Sequence, residues 1–371
     1  MNEGRVSPDR SYALISRGQL ARNYRAVKAA VGPDVEVLGV VKADAYGHGA
    51  VEVSRVLEAE GARWLAVSSV EEGVALRRAG VAARILVMAG FLPRERPALA
   101  EYRLTPVVHA LADIAELEAP FHLKVDTGLT RLGARCGAAE ILAALAAYPS
   151  AKLEGLMTHF ASAADYNSLQ TAHQVEAFRQ LYEALRQAGR QPAVVHTSST
   201  NAIAYPRRAA WYNMVRPGHA LYGYVSPARG EAPHKVLDVK PVLTWKAKIL
   251  AVKEVPEGTL IGYGATFRAP RPMRLGVLAL GYGDGLPHRL SNKGRVIADG
   301  KLVPIVGTVS MDLTTIDLTA APVLAPGDEV TILGEEGEAR QDAQQIARQA
   351  GTISYAVLCG ISPRVRRVYV E

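Results

Sequence analysis

Eight short apolar runs rich in β-branched residues recur between residue 35 and about residue 223: Val35–Lys42, Trp64–Ser69, Ile85–Gly90, Thr105–His109, Phe121–Asp126, Leu153–Phe160, Ala193–Ser198 and Met214–Tyr222. Stretches of helical character separate them, which is the pattern of repeated β-α units. Good helix formers fill segments such as Glu71–Gly80 and Ser168–Gly189, and Gly80 and Gly189 stand where a left-handed C-cap is expected. Eight units close a parallel barrel, so the spacing predicts a (β/α)8 barrel preceded by a helix over residues 18–31.

After residue 230 the helical spacing gives way to alternating, Val-rich segments punctuated by Gly and Pro, as in Val242–Val252, Leu275–Leu280 and Glu329–Leu333. They predict a mostly antiparallel β domain closed by a helix over Asp342–Ala350 and a last strand, Arg364–Val370. The expected fold class is therefore α/β, with the barrel over residues 1–230 and the β domain over 231–371. The first strand is left open to packing with the second domain. No long linker separates the two, so they are expected to pack as a unit.

A chain of 371 residues, 49% hydrophobic and 21% charged, can bury a large core and is too long for one compact domain. Its 43 Lys and Arg give a formal charge of +7, but they are scattered, with doublets only such as Arg207-Arg208 and Arg366-Arg367. No nucleic-acid-binding face is expected. Two distant cysteines, Cys136 and Cys359, offer neither a disulfide framework nor a metal site and fit a reducing, cytoplasmic setting. The amino-terminal MNEGRVSPDR lacks the apolar core of an export signal, and apolar stretches such as Ile141–Tyr148 are too short to span a bilayer, so no membrane partner is expected.

Polar residues that end barrel strands are the first candidates for chemistry, because barrels place catalytic groups at that face. Lys42 ends the first run and sits in VVKADAYGHG, between an apolar strand and a Gly-rich turn. Desolvation there would lower the pKa of the amine toward the free base that Schiff-base chemistry needs, although a solvated loop cation is the plainer alternative.

VVKADAYGHG resembles the cofactor-lysine motif of the alanine racemases, pyridoxal 5'-phosphate enzymes of fold type III built as a barrel with an added β domain. Seven further segments match that family in order: LKVDTGLTRLG at 123–133, EGLMTHF at 154–160, NMVRPGHALYG at 213–223, GYGATF at 262–267, GYGDG at 281–285, GTVSMD at 307–312 and TISYAVLCGISPR at 352–364. The resemblance implies that Lys42 holds the cofactor covalently and serves as one catalytic base, and that Tyr263 is the other. It places the phosphate with Tyr46, Ser199, Thr200, the amides near Gly218 and His219, and Tyr355. Ser198, Ser199, Thr200 and Gly218 lie on the loops after the seventh and eighth runs, where barrels often bind phosphate.

The family sets Arg216 against the pyridine nitrogen. A guanidinium cannot give up its proton, so the nitrogen stays unprotonated and the ring is a weaker electron sink, which limits side reactions. Racemisation needs an acid and a base on opposite faces of one carbon. A free tyrosine, with a pKa of about 10, is too weakly acidic to serve as a base at neutral pH without help from neighbours. By resemblance His159 connects Tyr263 to Arg216 by hydrogen bonds. Arg131 and the backbone N–H of Met311 receive the substrate carboxylate, with Lys124, often carbamylated in relatives, supporting Arg131, and Asp312 and Tyr282 ordering the surroundings.

Family members deliver the tyrosine from the partner subunit of a head-to-tail homodimer, so the expected sites are shared. The implied function is interconversion of L- and D-alanine, supplying D-alanine for peptidoglycan. Thr308, Ser310 and His288 stand where many relatives carry Arg, Cys and Arg, near the expected access channel, whereas Tyr282 and Tyr355 would narrow that channel to small side chains. Three alternatives stay open: a broad-specificity racemase, a fold-type III amino-acid decarboxylase, and a barrel-only carrier of the cofactor. Decarboxylases place a carboxylate opposite the ring nitrogen, and the carrier lacks a second domain.

Overall fold

The computed structural model describes residues 10–117 and 119–371, so the first nine residues of the amino-terminal segment lie outside it. The chain divides into two compact units. One comprises residues 19–45 and 50–240, and the other the described residues up to Gly18, with residues 46–49 and 241–371.

A strand, β1 (Ser11–Ser16), and a helix, α1 (Arg17–Val31), come first. The eight apolar runs then form β2 (Glu36–Val40), β3 (Trp64–Val67), β4 (Arg84–Val87), β5 (Leu104–Val108), β6 (Phe121–Lys124), β7 (Leu153–Met157), β8 (Val194–His196) and β9 (Met214–Val215). They pair in parallel in the order β8-β7-β6-β5-β4-β3-β2-β9. The ring closes between β8 and β9 through one bridge, Ser199 with Arg216, where the Arg216 N–H donates to Ser198 O at 2.9 Å. Every residue of β3, β5 and β6 is buried, as strands covered on both faces require.

Between the strands lie α2 (Lys42–Gly47), α3 (Ala50–Ala59), α4 (Val70–Arg78), α5 (Arg96–Glu101), α6 (Ala138–Ala147), α7 (Gln170–Gln187) and α8 (Thr200–Ala204). Gly80 and Gly189 follow α4 and α7 with φ of 84° and 72°, the left-handed backbone expected of a C-cap. The structure shortens two of the expected strands. The first ends at Val40, so Lys42 opens the next element instead of closing the strand. The eighth pairs only over Met214–Val215, because Pro217 has no N–H to offer and the chain folds into turns, with Leu221 N–H donating to Gly218 O and Tyr222 N–H to His219 O.

The second unit contains β10 (Leu243–Val255), β11 (Leu260–Ile261), β12 (Phe267–Arg268), β13 (Met273–Leu278), β14 (Arg295–Ala298), β15 (Lys301–Pro304), β16 (Thr314–Asp317), β17 (Glu329–Glu336), β18 (Ala339–Gln341) and β19 (Arg366–Val370). The long β10 organises its sheet, pairing antiparallel with β1, β13 and β17. Burial alternates along its first half, as expected of a strand with one face to a core. The one parallel pair among these strands is β1 with β19. Trp245, wholly buried on β10, donates from Nε1 to Ser11 Oγ on β1 at 2.8 Å.

Helix α9 (Ala343–Ala350) starts where Asp342 Oδ1 accepts the Gln345 N–H and Gln345 Oε1 accepts the Asp342 N–H, a capping box. A further helix, α10 (Ser354–Cys359), follows it and was not foreseen, since a six-residue helix carries too little periodicity to read.

On α1, the side chain of Asn23 is buried and fully used in the barrel unit. Its Nδ2 donates to the carbonyls of Leu221 and Lys240, each at 2.9 Å, and its Oδ1 accepts the Lys240 N–H at 3.1 Å. Asn23→Ala strands these backbone groups and should destabilise the protein by about 2–3 kcal/mol. A lowered urea midpoint checks this, and an unchanged midpoint contradicts it.

Candidate active site

Ala43, Asp44, Ala45 and Tyr46 have φ of 52°, 50°, 53° and 55°, so the turn after Lys42 is left-handed over four consecutive residues that carry a Cβ. Each costs roughly 1–2 kcal/mol relative to the right-handed form, and the strain persists only because the surroundings fix it. The Ala45 N–H donates to Val41 O at 2.8 Å. Glu72, in the first turn of α4, accepts the N–H of Ala43 on Oε1 and of Ser68 on Oε2, each at 2.6 Å, and Asp44 Oδ1 accepts the Ala50 N–H at 2.7 Å.

The other end of the turn folds with the second unit. A Cβ on Gly47 would lie 2.4 Å from Leu358 O, and Gly47 and Gly49 have φ of 79° and 91°, so both positions require glycine. Arg367 Nε donates to Gly47 O at 2.9 Å. Tyr46 is buried, its ring centroid 5.9 Å from that of Tyr355, and burial, then Tyr355 and Cys359, keep its phenol protonated as a donor.

At the barrel seam Arg216 is 2% exposed and pairs with no acid among the described residues. Its Nη1 donates to His196 O at 2.8 Å and to His196 Nδ1 at 2.9 Å. Its Nη2 donates to Thr158 O at 2.8 Å, Thr197 O at 3.0 Å and His159 Nδ1 at 3.3 Å. Nε makes no hydrogen bond among the described residues. Desolvation pulls the guanidinium down to about 9, so it remains cationic at neutral pH.

The mouth of the barrel is strongly positive. Burial lowers His159 to about 3, reinforced in order by Arg216, Lys124, Arg131 and Lys42, so its imidazole is neutral. Since Arg216 can only donate, His159 Nδ1 accepts and its proton sits on Nε2. Buried Lys124 falls to about 8, chiefly by desolvation and then by Arg131 and Arg216. Arg131 is exposed and pairs with no acid among the described residues, because Asp126 is engaged elsewhere. Asp126 Oδ1 accepts the N–H groups of Gly128, Leu129 and Thr130, and Oδ2 accepts from Arg135 Nε at 3.0 Å, which knots the DTGLTRLG loop.

On the loops after β8 and β9, buried Thr200 accepts the N–H of Gly218 at 3.3 Å and of Ala220 at 3.1 Å on its Oγ1. Ser199 is half-buried beside it and His219 is buried. Lys42, Lys124, Arg131, His159, Ser199, Thr200, Arg216 and Gly218 thus all belong to the barrel unit.

Tyr263, Tyr282, Met311, Asp312 and Tyr355 belong to the second unit. Tyr263 is 76% exposed in a turn where Gly262 and Gly264 have φ of 76° and 69°. The Thr308 hydroxyl donates to Tyr263 O at 3.0 Å and Ser310 Oγ to Leu313 O at 2.7 Å, so both side chains hold loop backbone. The GYGDG turn lies on the SMD loop, with Tyr282 N–H donating to Ser310 O at 3.0 Å and Gly283 N–H to Met311 O at 2.9 Å. Arg364 binds Asp312 at 2.7 Å and Asp284 at 3.2 Å, and the ring of His288 meets Tyr282 edge-on at 6.0 Å.

Four side chains important to this geometry were not singled out from the sequence: Glu72, Asp126, Gln174 and His196. Asp126 lies inside a quoted motif, but its loop-knotting role is invisible without the fold. Gln174, buried on α7, donates to His159 O at 3.0 Å and accepts the Ala161 N–H at 2.9 Å, and nothing in the helical pattern marks it.

Fold and site together define a class: a two-domain barrel enzyme with a lysine on a strained turn at the strand ends, in a cationic mouth. Residues 15–227 match the family model for the alanine racemase N-terminal domain and residues 242–369 that for the C-terminal domain. A protein of Halothermothrix orenii named alanine racemase is 40% identical over 369 residues, covering 97% of this chain and 96% of its own. The alanine racemase of Bartonella henselae, solved with covalently bound pyridoxal phosphate, superposes with a TM-score of 0.86 at 27% identity, over 98% of this chain and 100% of that one. That of Bacillus anthracis, solved with bound L-Ala-P, gives 0.89 at 32%, over 98% and 95%. The chain belongs to the alanine racemase family.

Glu72→Ala frees the amides of Ala43 and Ser68 and should cost about 1–3 kcal/mol. Hydrogen exchange at residues 43–45 should quicken, and unchanged protection there would show that Glu72 does not hold the turn.

Proposed function

We propose that this chain is a pyridoxal 5'-phosphate-dependent alanine racemase that interconverts L- and D-alanine, supplying D-alanine for cell-wall peptides. The observation that carries the reading is the barrel mouth itself, where Lys42, before its strained turn, shares a cationic site with a buried Arg216 that has no carboxylate partner among the described residues. The donor set fits the cofactor. Among the described residues Arg216 keeps an Nε–H unused, as a ring-nitrogen acceptor needs, and the Thr200 hydroxyl, which accepts the Gly218 and Ala220 N–H groups, keeps its own proton to give to a phosphate oxygen.

When bound, the cofactor acidifies the α-C–H of the amino acid joined to it. Lys42 holds it and exchanges a proton at the α-carbon from one face, while Tyr263 does so from the other. Tyr46, Tyr355, Ser199, Thr200 and the amides of Gly218 and His219 hold the phosphate. His159 Nε2–H steadies negative charge on the Tyr263 oxygen. Arg131 and the Met311 N–H bind the substrate carboxylate, with Lys124 behind Arg131. At pH 7 about one-tenth of an amine with a pKa near 8 is neutral, which suits Lys124 to the carbamylation that its relatives undergo.

The exposure of Tyr263, unusual for a catalytic tyrosine, supports its delivery to the barrel of a second copy in a homodimer. On this reading residues 1–230 form the cofactor-binding barrel, and 231–371 supply the second base and, in Tyr355, one of the groups on the phosphate. No helix among the described residues is long and apolar enough to cross a membrane, in keeping with a cytoplasmic enzyme. Arg216 disfavours the decarboxylases, which place a carboxylate there.

Exchange of α-hydrogen with deuterated solvent tests the two-base assignment. Tyr263→Phe should slow exchange from one alanine enantiomer at least a hundredfold more than from the other, and Lys42→Ala should abolish covalent retention of the cofactor. Equal loss from both enantiomers in Tyr263→Phe overturns the assignment.

A further inference from the structure

Behind Arg216 a line of polar side chains runs down the inside of the barrel. His196, the last residue of β8, accepts from Arg216 on Nδ1, so its proton sits on Nε2, which lies 2.8 Å from His122 Nδ1. His122 is the second residue of β6, and both rings are wholly buried. With Nδ1 accepting, the His122 proton is also on Nε2, facing Glu154 Oε2 at 3.7 Å. That joint is too long for a hydrogen bond. Glu154, the second residue of β7, is held in turn by both Nη atoms of Arg84, at 2.6 and 2.7 Å, and the Arg84 guanidinium stacks on Trp64 at 3.9 Å.

Arg84 and Trp64 open their strands, whereas Arg216 follows the end of β9. The line therefore spans the barrel from its amino-terminal mouth to the catalytic mouth. Every donor in it points away from Arg216, because a guanidinium has only protons to give. Burial lowers both imidazoles, His196 further through Arg216, so neither breaks the line by taking a second proton.

One backbone position makes the line possible. To reach His196 on β8 from β6, the His122 ring must cross β7, and it does so over Gly155. A Cβ on Gly155 would lie 2.4–2.5 Å from three atoms of the ring. Any larger residue there displaces the imidazole.

We propose that His122 and Glu154, with Gly155 as the gap that admits them, are positioning residues that act on Arg216 from the far end of the barrel through His196. This rests on the reading in which Arg216 meets the cofactor ring. Without the far end, His196 Nε2–H has no buried acceptor, its ring is free to turn, and Arg216 loses the acceptor that sets its tilt.

The test combines two readouts on the full-length protein. Nitrogen NMR of the histidine-labelled enzyme without cofactor should find His196 and His122 both protonated on Nε2 alone. With cofactor, Gly155→Ala, which displaces His122 from His196, should lower kcat about tenfold, the scale of one buried hydrogen bond, and Glu154→Gln, which removes only the charge facing His122, should lower it about threefold, with KM within twofold in both. Glu154→Asp should recover part of the loss, which a generally damaged fold would not show. A proton on Nδ1 of either ring overturns the proposal. So does full kcat in both Glu154→Gln and Gly155→Ala while Arg216→Lys is impaired. Full kcat in Arg216→Lys would instead remove the parent reading and this one with it.

Discussion

A guanidinium, that of Arg216, taken out of water with no carboxylate partner among the described residues is the constraint around which the barrel unit is built. The desolvation penalty for such a charge is several kcal/mol, and here it is met by carbonyls and imidazoles alone: Thr158, His196 and Thr197 through backbone oxygens, and His196 and His159 through Nδ1. Meeting that demand settles much else. It places Arg216 on the bridge that closes the ring, fixes the tautomer of His159, and leaves Nε without a hydrogen-bond partner among the described residues. An acid in this environment would have made an ordinary buried ion pair with no donor to spare.

The second expense is conformational. Four residues in the left-handed region follow Lys42 directly, and the turn is clamped by Glu72 and Asp44 on one side and by close packing at Gly47 and Gly49 on the other. A lysine on a relaxed helix start would sweep a wide arc. Here the backbone beside it is held before any ligand arrives.

The barrel strands were legible because strands buried on both faces read as continuous apolar runs, and all eight emerged within a few residues. Their ends were less clear: Lys42 and Pro217 lie where an apolar run continues but the ladder stops, and the stop depends on backbone conformation. The site residues were legible through motif resemblance, not through chemistry visible in the string. Nothing about Glu72 in a helical segment, or about His122 and His196 74 residues apart, marks them until β6, β7 and β8 stand side by side. The short α10 was missed because six residues give no period to detect. Long-range polar partnerships are the part of a fold that local pattern cannot carry.

The most direct test of the account is chiral chromatography of L-alanine incubated with the purified protein and pyridoxal phosphate, with L-serine, L-lysine and L-arginine run in parallel. Preferential formation of D-alanine, approaching equal amounts of the two enantiomers, is the predicted result. No D-alanine from a protein that retains the cofactor, or carbon dioxide release from the basic amino acids, would contradict it.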